Sequence, residues 1–358
     1  MIRPSELFIV GFHGPKLPEP LSQRFVRGDF AGLIFFRRNF TAPDEALAIG
    51  EDVAQVIRGY RADLLPPVLA IDHEGGRVQR LRGQVTVWPP MMNLADKPPE
   101  LSEAVGRAMG LELSALGFNV SFAPVLDVHT NPDNPIIGDR AFGTDPSAAA
   151  DCALHYLRGL ESVAGLRGCG KHYPGHGDTE TDSHLTLPVV RRDMQTLEAV
   201  ELVPFQRAIE AGIGMLMTAH VVYPAVDARP ATLSKVWLHD ILRRRFGYQG
   251  LVVSDDLDMK AVTAEQLGLA DDSGVVVESL LAGCDAFLFC QEPERLARAE
   301  EALTYAAERS SQVRDRLAES AARLATFRRT LSYGQPSRER LQQFPFSEHL
   351  RLREQVLR

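Results

Sequence analysis

The 358-residue sequence lacks several features that assign a protein to a functional class before any motif is considered. It has only four cysteines and no C-x-x-C pair, so the spacing indicates neither a disulfide framework nor a cysteine metal cluster. Basic residues are in the minority, with 39 Lys and Arg against 47 Asp and Glu, and they are spread along the chain. A formal net charge of −8 without a basic patch argues against nucleic acid or an anionic membrane as a partner.

Long hydrophobic runs are also missing from the sequence. No apolar stretch approaches the roughly 18 residues of a membrane-spanning helix. The early apolar run at 7–10 is too short for the hydrophobic region of a secretory signal, and no small-residue cleavage site follows it. We therefore expect a cytoplasmic protein with no membrane partner. With 45% hydrophobic residues, the chain is nevertheless able to bury a large core.

Short apolar segments recur along the chain, and most of them are continuous rather than alternating. There are eight of them, at 7–12, 32–36, 67–72, 120–124, 168–172, 214–220, 250–255 and 284–290. Continuous apolar runs are typical of parallel strands that are covered on both faces. Helical patterns separate many of them, at 44–60, 101–116, 146–160, 196–211, 233–246, 293–309 and 312–328. Strands that alternate with helices predict βα units.

The number of these units predicts the fold. Eight βα units in about 300 residues fit an α/β fold of the (β/α)₈ TIM-barrel type, with tolerance for irregular or missing strands and helices. We find no repeat or linker, so we predict a single catalytic barrel domain over residues 1–330. Residues 331–358 carry few periodic apolar positions and are predicted to be a C-terminal extension, packed on the barrel or partly ordered.

Polar residues follow several of the predicted strands. Asp72 ends the third, Lys171 and His172 the fifth, and Asp255 and Asp256 the seventh. In a barrel, side chains at these carboxyl ends point into the active site. Burying one ionisable group without a partner is costly, and several around one rim are best explained by a polar ligand.

The segment 171–188, K-H-Y-P-G-H-G-D-T-E-T-D-S-H-L-T-L-P, is the most informative one. Asp182 and His184 are two residues apart, so an extended loop places both side chains on the same side. A carboxylate beside a histidine fixes its tautomer and raises its proton affinity, as a general acid/base near neutral pH requires.

The same segment leaves a zinc site open. His172, His176 and His184 could supply three ligands, with Asp178 or Asp182 as the fourth.

The string K-H-Y-P-G-H-G-D-T-x-x-D-S-H, with S-D-D-L-x-M downstream, resembles glycoside hydrolase family 3. It is most similar to the single-domain bacterial β-N-acetylglucosaminidase branch of that family. Further matches are D-H-E-G-G-R-V-Q-R-L at 72–81, N-P-x-N-P-I-I-G-D-R-A-F-G at 131–143 and T-A-H at 218–220. They occur in the family's order and span most of residues 1–330.

The resemblance implies a role for each matching residue. Asp255 would be the nucleophile of a retaining mechanism, and His184, paired with Asp182, would be the general acid/base. The implied sugar-binding positions are Asp72, Arg80, Arg140, Lys171 and His172. No metal or organic cofactor is implied.

The sequence also allows another nucleophile and another role for two of the arginines. Asp256 is the alternative nucleophile, and because adjacent strand residues point to opposite faces, only one of the two aspartates should face the sugar. Arg80 and Arg140 could instead form ion pairs that hold loops in place.

The implied activity is removal of terminal β-linked GlcNAc from peptidoglycan fragments, namely GlcNAc-anhydroMurNAc with or without peptide, by a monomer in cytoplasmic cell-wall recycling. The alternatives are a β-N-acetylglucosaminide phosphorylase, a β-glucosidase or β-xylosidase on the same barrel, a metal-dependent hydrolase, and a non-catalytic sugar-binding module.

Overall fold

The computed structural model of the protein describes residues 2–179, 187–268, 271, 274–333 and 336–358. The strands in these residues are β1 Phe8–Val10, β2 Gly32–Phe35, β3 Val68–Ile71, β4 His73–Gly75, β5 Val78–Gln79, β6 Val120–Ser121, β7 Arg167–Gly168, β8 Gly170–Tyr173, β9 Met215–Thr218, β10 Val222–Tyr223, β11 Asp227–Pro230, β12 Leu251–Asp256 and β13 Ala286–Phe289. The α-helices are α1 Glu19–Val26, α2 Ala46–Ile57, α3 Pro99–Ala115, α4 Pro146–Glu161, α5 Met194–Ala199, α6 Val203–Glu210, α7 Ala264–Leu267, α8 Gly274–Ala282, α9 Pro293–Arg309, α10 Ser311–Arg328, α11 Arg338–Leu341 and α12 Ser347–Leu357.

Nine of the strands form one nearly closed parallel barrel. Their order is β7-β6-β3-β2-β1-β13-β12-β9-β8. The two ends of this order, β7 and β8, are consecutive pieces of one predicted strand, so the sheet almost closes on itself. Each of the eight predicted apolar segments lies on a barrel strand. The predicted TIM-type α/β barrel is confirmed, with the fifth strand divided as its main irregularity.

The fifth strand is divided at Cys169. Its backbone N–H contacts both the Ser121 carbonyl at 3.0 Å and the Ala123 carbonyl at 2.9 Å, so the strand changes neighbours there. Glycines flank the break. A Cβ on Gly168 would lie 2.8 Å from the Ala123 oxygen, and a Cβ on Gly170 would lie 2.5 Å from a methyl of Leu126. A side chain at Gly168 would therefore collide with the backbone, and one at Gly170 would displace the side chain of Leu126.

Helices cover the outside of the barrel, largely where the sequence predicts them. Asp145 caps α4 by accepting the Ala148 N–H at 2.8 Å, as its position before Pro146 indicates. Two helices differ from the prediction. The pattern at 196–211 is divided into α5 and α6, and the pattern at 233–246 forms a π-helix over Val236–Arg245. None of the helices in the described ranges is long and apolar enough to cross a bilayer.

The C-terminal helices rest on the outer layer of helices. In α12, His349 lies 2.8 Å from Glu112 of α3, and both side chains are buried. Glu112 also accepts the hydroxyl of Thr86 at 2.5 Å. In α11, Leu341 packs so tightly on α2 that a Cβ on Gly50 would lie 2.4 Å from it. Residues 336–358 therefore add buried polar and apolar contacts to the barrel.

Candidate active site

Most of the predicted site residues line one cavity of about 350 Å³ at the carboxyl ends of the barrel strands. The six predicted residues that line it are Asp72, Arg80, Arg140, Lys171, His172 and Asp255. Glu74 and His176 also line it. The other two predicted positions, Asp182 and His184, lie outside the described residues. A cavity with so many ionisable groups is suited to a polar ligand.

A tight turn brings two acidic side chains to the cavity wall. Asp72 and Glu74 are two residues apart on an extended segment, so both point to the same side. The chain then turns through Gly75 and Gly76, whose φ angles of 99° and 55° favour glycine. A Cβ on Gly75 would also lie 2.8 Å from the Pro89 oxygen. The G-G of the D-H-E-G-G-R motif therefore shapes the rim of the site.

Alternating charges run along this wall. The Lys171 ammonium lies 2.8 Å from Asp72 and 2.6 Å from Glu74. Arg140 donates two hydrogen bonds to Glu74, at 2.8 and 2.9 Å, and Arg80 lies 3.2 Å from Asp72. Arg80 and Arg140 are therefore ion-paired, as one prediction had it, and both also line the cavity.

These pairs determine the protonation states of the acids. Burial opposes ionisation of Asp72, but the charges of Lys171 and Arg80 outweigh it and lower the pKa of that carboxyl. Burial likewise opposes ionisation of Glu74, and Arg140 and Lys171 lower its pKa. At neutral pH the wall thus presents two carboxylates and three cations.

The neighbouring aspartates at the end of β12 have different environments. Burial opposes ionisation of Asp255, but the nearby imidazoles of His220 and His172 lower its pKa, so it stays a carboxylate. Burial, followed by repulsion from Asp258, raises the pKa of Asp256 to about 7. An ionised carboxylate is the form that attacks as a nucleophile.

Strand alternation alone does not separate these two aspartates. Both line the cavity, because the pairing of β12 with β13 shifts register between Val253 and Asp256. Their hydrogen bonds differ in number, since Asp255 accepts one backbone N–H, that of Asp256 at 2.8 Å, whereas Asp256 accepts two. Asp256 accepts the backbone N–H groups of Asp258 at 3.0 Å and Cys290 at 3.1 Å, which ties its carboxyl to the chain.

Sequence reasoning missed two acids of the site, Glu74 and Asp127. Asp127 is fully buried, lies 2.7 Å from Nδ1 of His172, and accepts the backbone N–H of His176 at 2.6 Å. Glu74 could have been found from its spacing of two from Asp72. The available signal for Asp127 was a lone acid in the apolar run V-L-D-V, since buried carboxylates need partners.

The predicted zinc alternative gains no support within the described part of the chain. No three His, Cys, Asp or Glu side chains there are arranged to hold a metal ion. Burial, together with the charge of His172, lowers the pKa of His176 to about 4, and its Nδ1 lies 2.9 Å from the Thr179 hydroxyl. The proposed ligands His184 and Asp182 fall outside these residues.

One arginine links the two sides of the predicted acid/base segment. Arg192 contacts Asp178 through two hydrogen bonds, at 2.7 and 2.5 Å. Its third nitrogen lies 3.1 Å from Glu201, whose side chain is only 1% exposed. The ion pair thus joins Asp178, which precedes residues 180–186 in the sequence, to Arg192, which follows them.

Glu201→Gln is expected to flatten the pH dependence of stability. Burial raises the pKa of Glu201 to about 7, so the folded protein retains a proton that the unfolded chain releases near its ordinary value of 4.5. The contribution of Glu201 is present at low pH and is lost as the pH rises through about 7. Between pH 5 and 8, the free energy of unfolding of the wild type should therefore fall by up to roughly 3 kcal/mol more than that of the variant.

Denaturant unfolding at the two pH values measures this difference. The control is Glu198→Gln on α5, because Glu198 pairs with Arg245 at the surface and its pKa is lowered. Glu198→Gln should therefore leave the fall in the free energy of unfolding between pH 5 and 8 unchanged. Parallel pH curves for wild type and Glu201→Gln would contradict the prediction.

The chain is similar in sequence to known carbohydrate-active proteins. Residues 8–327 match the family described as Glycosyl hydrolase family 3 N terminal domain. A relative from Chromobacterium violaceum, named Beta-hexosaminidase, is 42% identical over 297 residues. That match covers 80% of this chain and 79% of the relative.

Solved structures give the same picture. A family 3 β-N-acetylglucosaminidase from Paenibacillus sp. str. FPU-7 superposes with a TM-score of 0.86 at 35% identity, over 98% of this chain and 67% of that one. NagZ from Neisseria gonorrhoeae, solved in complex with N-trifluoroacetyl-D-glucosamine, superposes with a TM-score of 0.79 at 33% identity. The coverage is 98% of this chain and 96% of NagZ.

Proposed function

The chain belongs to glycoside hydrolase family 3 and is an enzyme of the β-hexosaminidase type, and from this we propose that it removes terminal β-linked GlcNAc from peptidoglycan fragments with retention of configuration. The proposed substrate is GlcNAc-anhydroMurNAc, with or without peptide. The observation that carries the proposal is an ionised, partly buried Asp255 in the wall of a cavity rich in charged hydrogen-bonding groups.

Asp255 is the proposed nucleophile. Its carboxylate attacks the anomeric carbon while the glycosidic bond breaks, and His184 gives its proton to the leaving oxygen. In the second step His184 takes a proton from water, the water oxygen attacks the anomeric carbon, and the Asp255 carboxylate leaves. The lowered pKa of Asp255 supports this role, since the group must be ionised to attack.

The charged wall is the proposed sugar-binding surface. The carboxylate of Asp72 accepts hydrogen bonds from sugar hydroxyls, and Arg80, Arg140 and Lys171 donate to hydroxyls and to the N-acetyl carbonyl. The mutual ion pairs of these groups support the proposal, because they hold the side chains in place before the sugar arrives. The ligand solved with NagZ, N-trifluoroacetyl-D-glucosamine, is an analogue of the proposed sugar.

His184, with Asp182 as its partner, is the proposed acid/base. His184→Ala is expected to lose at least about 10²-fold more activity on a GlcNAc disaccharide than on 4-nitrophenyl β-GlcNAc, because a sugar alkoxide needs protonation to leave and nitrophenolate does not. The two kcat values measure the effect. His155→Ala, a partly exposed histidine on α4, is the matched control. Equal losses on both substrates would contradict the acid role.

The oligomeric state, the compartment and the source of the substrate can each be tested. We propose that the enzyme acts as a monomer in the cytoplasm, on fragments recovered from the cell wall. Light scattering of the purified protein measures its mass in solution, and fractionation of the source cells locates it. Turnover of GlcNAc-anhydroMurNAc at a rate no better than that of chitobiose would contradict the substrate.

The deciding experiment is release of nitrophenol from 4-nitrophenyl β-GlcNAc with a chelator present and phosphate absent. Undiminished turnover is the expected result. Turnover that requires phosphate and yields the sugar 1-phosphate would replace hydrolysis with phosphorolysis. Turnover abolished by the chelator and restored by zinc would replace it with metal-dependent chemistry. A preference for the glucoside or xyloside would overturn the sugar assignment.

A further inference from the structure

Among the described residues, the buried carboxylate of Asp127 has hydrogen-bond contacts with two backbone N–H groups and one ring nitrogen. Both of its oxygens lie 3.2 Å from the backbone nitrogen of His172, and one lies 2.6 Å from the backbone nitrogen of His176. The remaining contact, at 2.7 Å, is to Nδ1 of the His172 ring. The Asp127 side chain is fully buried, and the mechanism proposed above gives it no role.

These contacts determine where the ring proton of His172 sits. Burial opposes ionisation of Asp127, but the adjacent His172 ring and the hydrogen bonds that Asp127 accepts lower its pKa, so Asp127 is a carboxylate. A carboxylate has no proton to donate, so Nδ1 of His172 must carry one. The neutral form of His172 is then the Nδ1–H tautomer, whose Nε2 has a free lone pair.

The other ring nitrogen is the one available to a ligand. His172 lines the cavity together with Lys171 and Asp255, and its Nδ1 is occupied by Asp127. We propose that Asp127 is a positioning residue that holds the Nδ1 proton of His172 and so presents Nε2 as an acceptor for a sugar hydroxyl. The sugar part of this inference rests on the proposed function, whereas the tautomer does not.

Asp127→Asn reverses the tautomer without changing the volume of the side chain. The backbone N–H groups of His172 and His176 can only donate, so the amide oxygen of Asn must face them. Its NH₂ group then points to Nδ1 of His172, which has to accept. The proton moves to Nε2, and an acceptor for the sugar becomes a donor. We expect kcat/KM to fall by about 10- to 100-fold, with most of the loss in KM.

A double-mutant cycle with His172→Asn distinguishes a role of Asp127 through the His172 tautomer from a merely structural role. The shorter Asn side chain carries an amide group near the place of Nδ1, which can rotate to suit either partner, and it has nothing in the place of Nε2. If Asp127 acts through the tautomer, Asp127→Asn should cost less than about 3-fold in the His172→Asn background. The same 10- to 100-fold loss in both backgrounds would overturn the inference.

Nitrogen-15 NMR reads the tautomer directly and needs no activity. The protein is labelled at its ten histidines, and the His172 signals are those missing from His172→Asn or, should that variant not fold, from His172→Gln. The expected result is a proton on Nδ1 in the wild type and on Nε2 in Asp127→Asn. An Nε2–H tautomer in the wild type, or no change in the variant, would overturn the inference. The expected tautomers in a protein that releases no GlcNAc would leave the effect of Asp127 on the His172 tautomer intact and reject the proposed function instead.

Discussion

Asp255→Asn is expected to lower kcat on 4-nitrophenyl β-GlcNAc by about 10⁴-fold or more. An amide oxygen is a far weaker nucleophile than a carboxylate, so the glycosyl-enzyme no longer forms. The substitution preserves the shape of a partly buried side chain at the end of β12, so the variant should remain folded. Steady-state rates and a circular dichroism melt of the purified variant measure both effects.

Asp256→Asn is the matched control, since it makes the same chemical change one residue away. The carboxyl of Asp256 is tied to the backbone N–H groups of Asp258 and Cys290, and burial raises its pKa to about 7. The kcat of Asp256→Asn should therefore be at least about 10²-fold higher than that of Asp255→Asn. If Asp256→Asn were the more damaging change, the nucleophile would have to be reassigned to Asp256.

Azide distinguishes the role of Asp255 from that of a residue that merely supports the site. In Asp255→Ala, azide fits the space of the missing carboxylate and attacks the anomeric carbon opposite the leaving nitrophenolate, so the product is the α-glycosyl azide. In His184→Ala, Asp255 still forms the glycosyl-enzyme, and azide displaces it to give the β-glycosyl azide. Identical anomers from the two variants would contradict the assigned roles.

The barrel could be predicted from the sequence because it depends on local patterns. Continuous apolar runs such as 284–290 indicate parallel strands wherever they occur, and capping residues such as Asp145 mark helix starts. The division of the fifth strand could not be predicted in this way. It follows from where Cys169 meets the carbonyls of Ser121 and Ala123, which are nearly fifty residues away in the chain.

The residues of the candidate site also fall into two groups, those that the sequence could predict and those that it could not. Lys171 and Asp72 could be identified one by one, because motifs and strand ends mark them. Their partners could not, since Asp127 meets His172 across 45 residues and Glu74 meets Arg140 across 66. Pairing across such separations follows from the tertiary fold rather than from any local pattern. The roles of Asp182 and His184 stay predictions.

Glu74→Gln is expected to reduce both stability and activity. The carboxylate of Glu74 is 2% exposed and is shared by Lys171 and Arg140, so its loss leaves two buried cations with a single carboxylate, Asp72, beside them. Removing one partner of a buried ion pair costs about 3–5 kcal/mol, and we expect the free energy of unfolding at pH 7 to fall by about 3 kcal/mol. With Lys171 and Arg140 no longer held, kcat/KM should fall by about 10²-fold.

The pH dependence of this loss shows whether charge is its cause. Burial opposes ionisation of Glu74, yet Arg140 and Lys171 lower its pKa, so its contribution to stability is present above the ordinary value of 4.5 and is lost as the pH falls through the lowered value. The gap between wild type and Glu74→Gln should therefore narrow on acidification. Glu103→Gln is the control, because Glu103 pairs with Arg158 at the surface and should change stability by less than about 1 kcal/mol. A Glu74→Gln variant as stable as that control would mean that Asp72 alone compensates both cations.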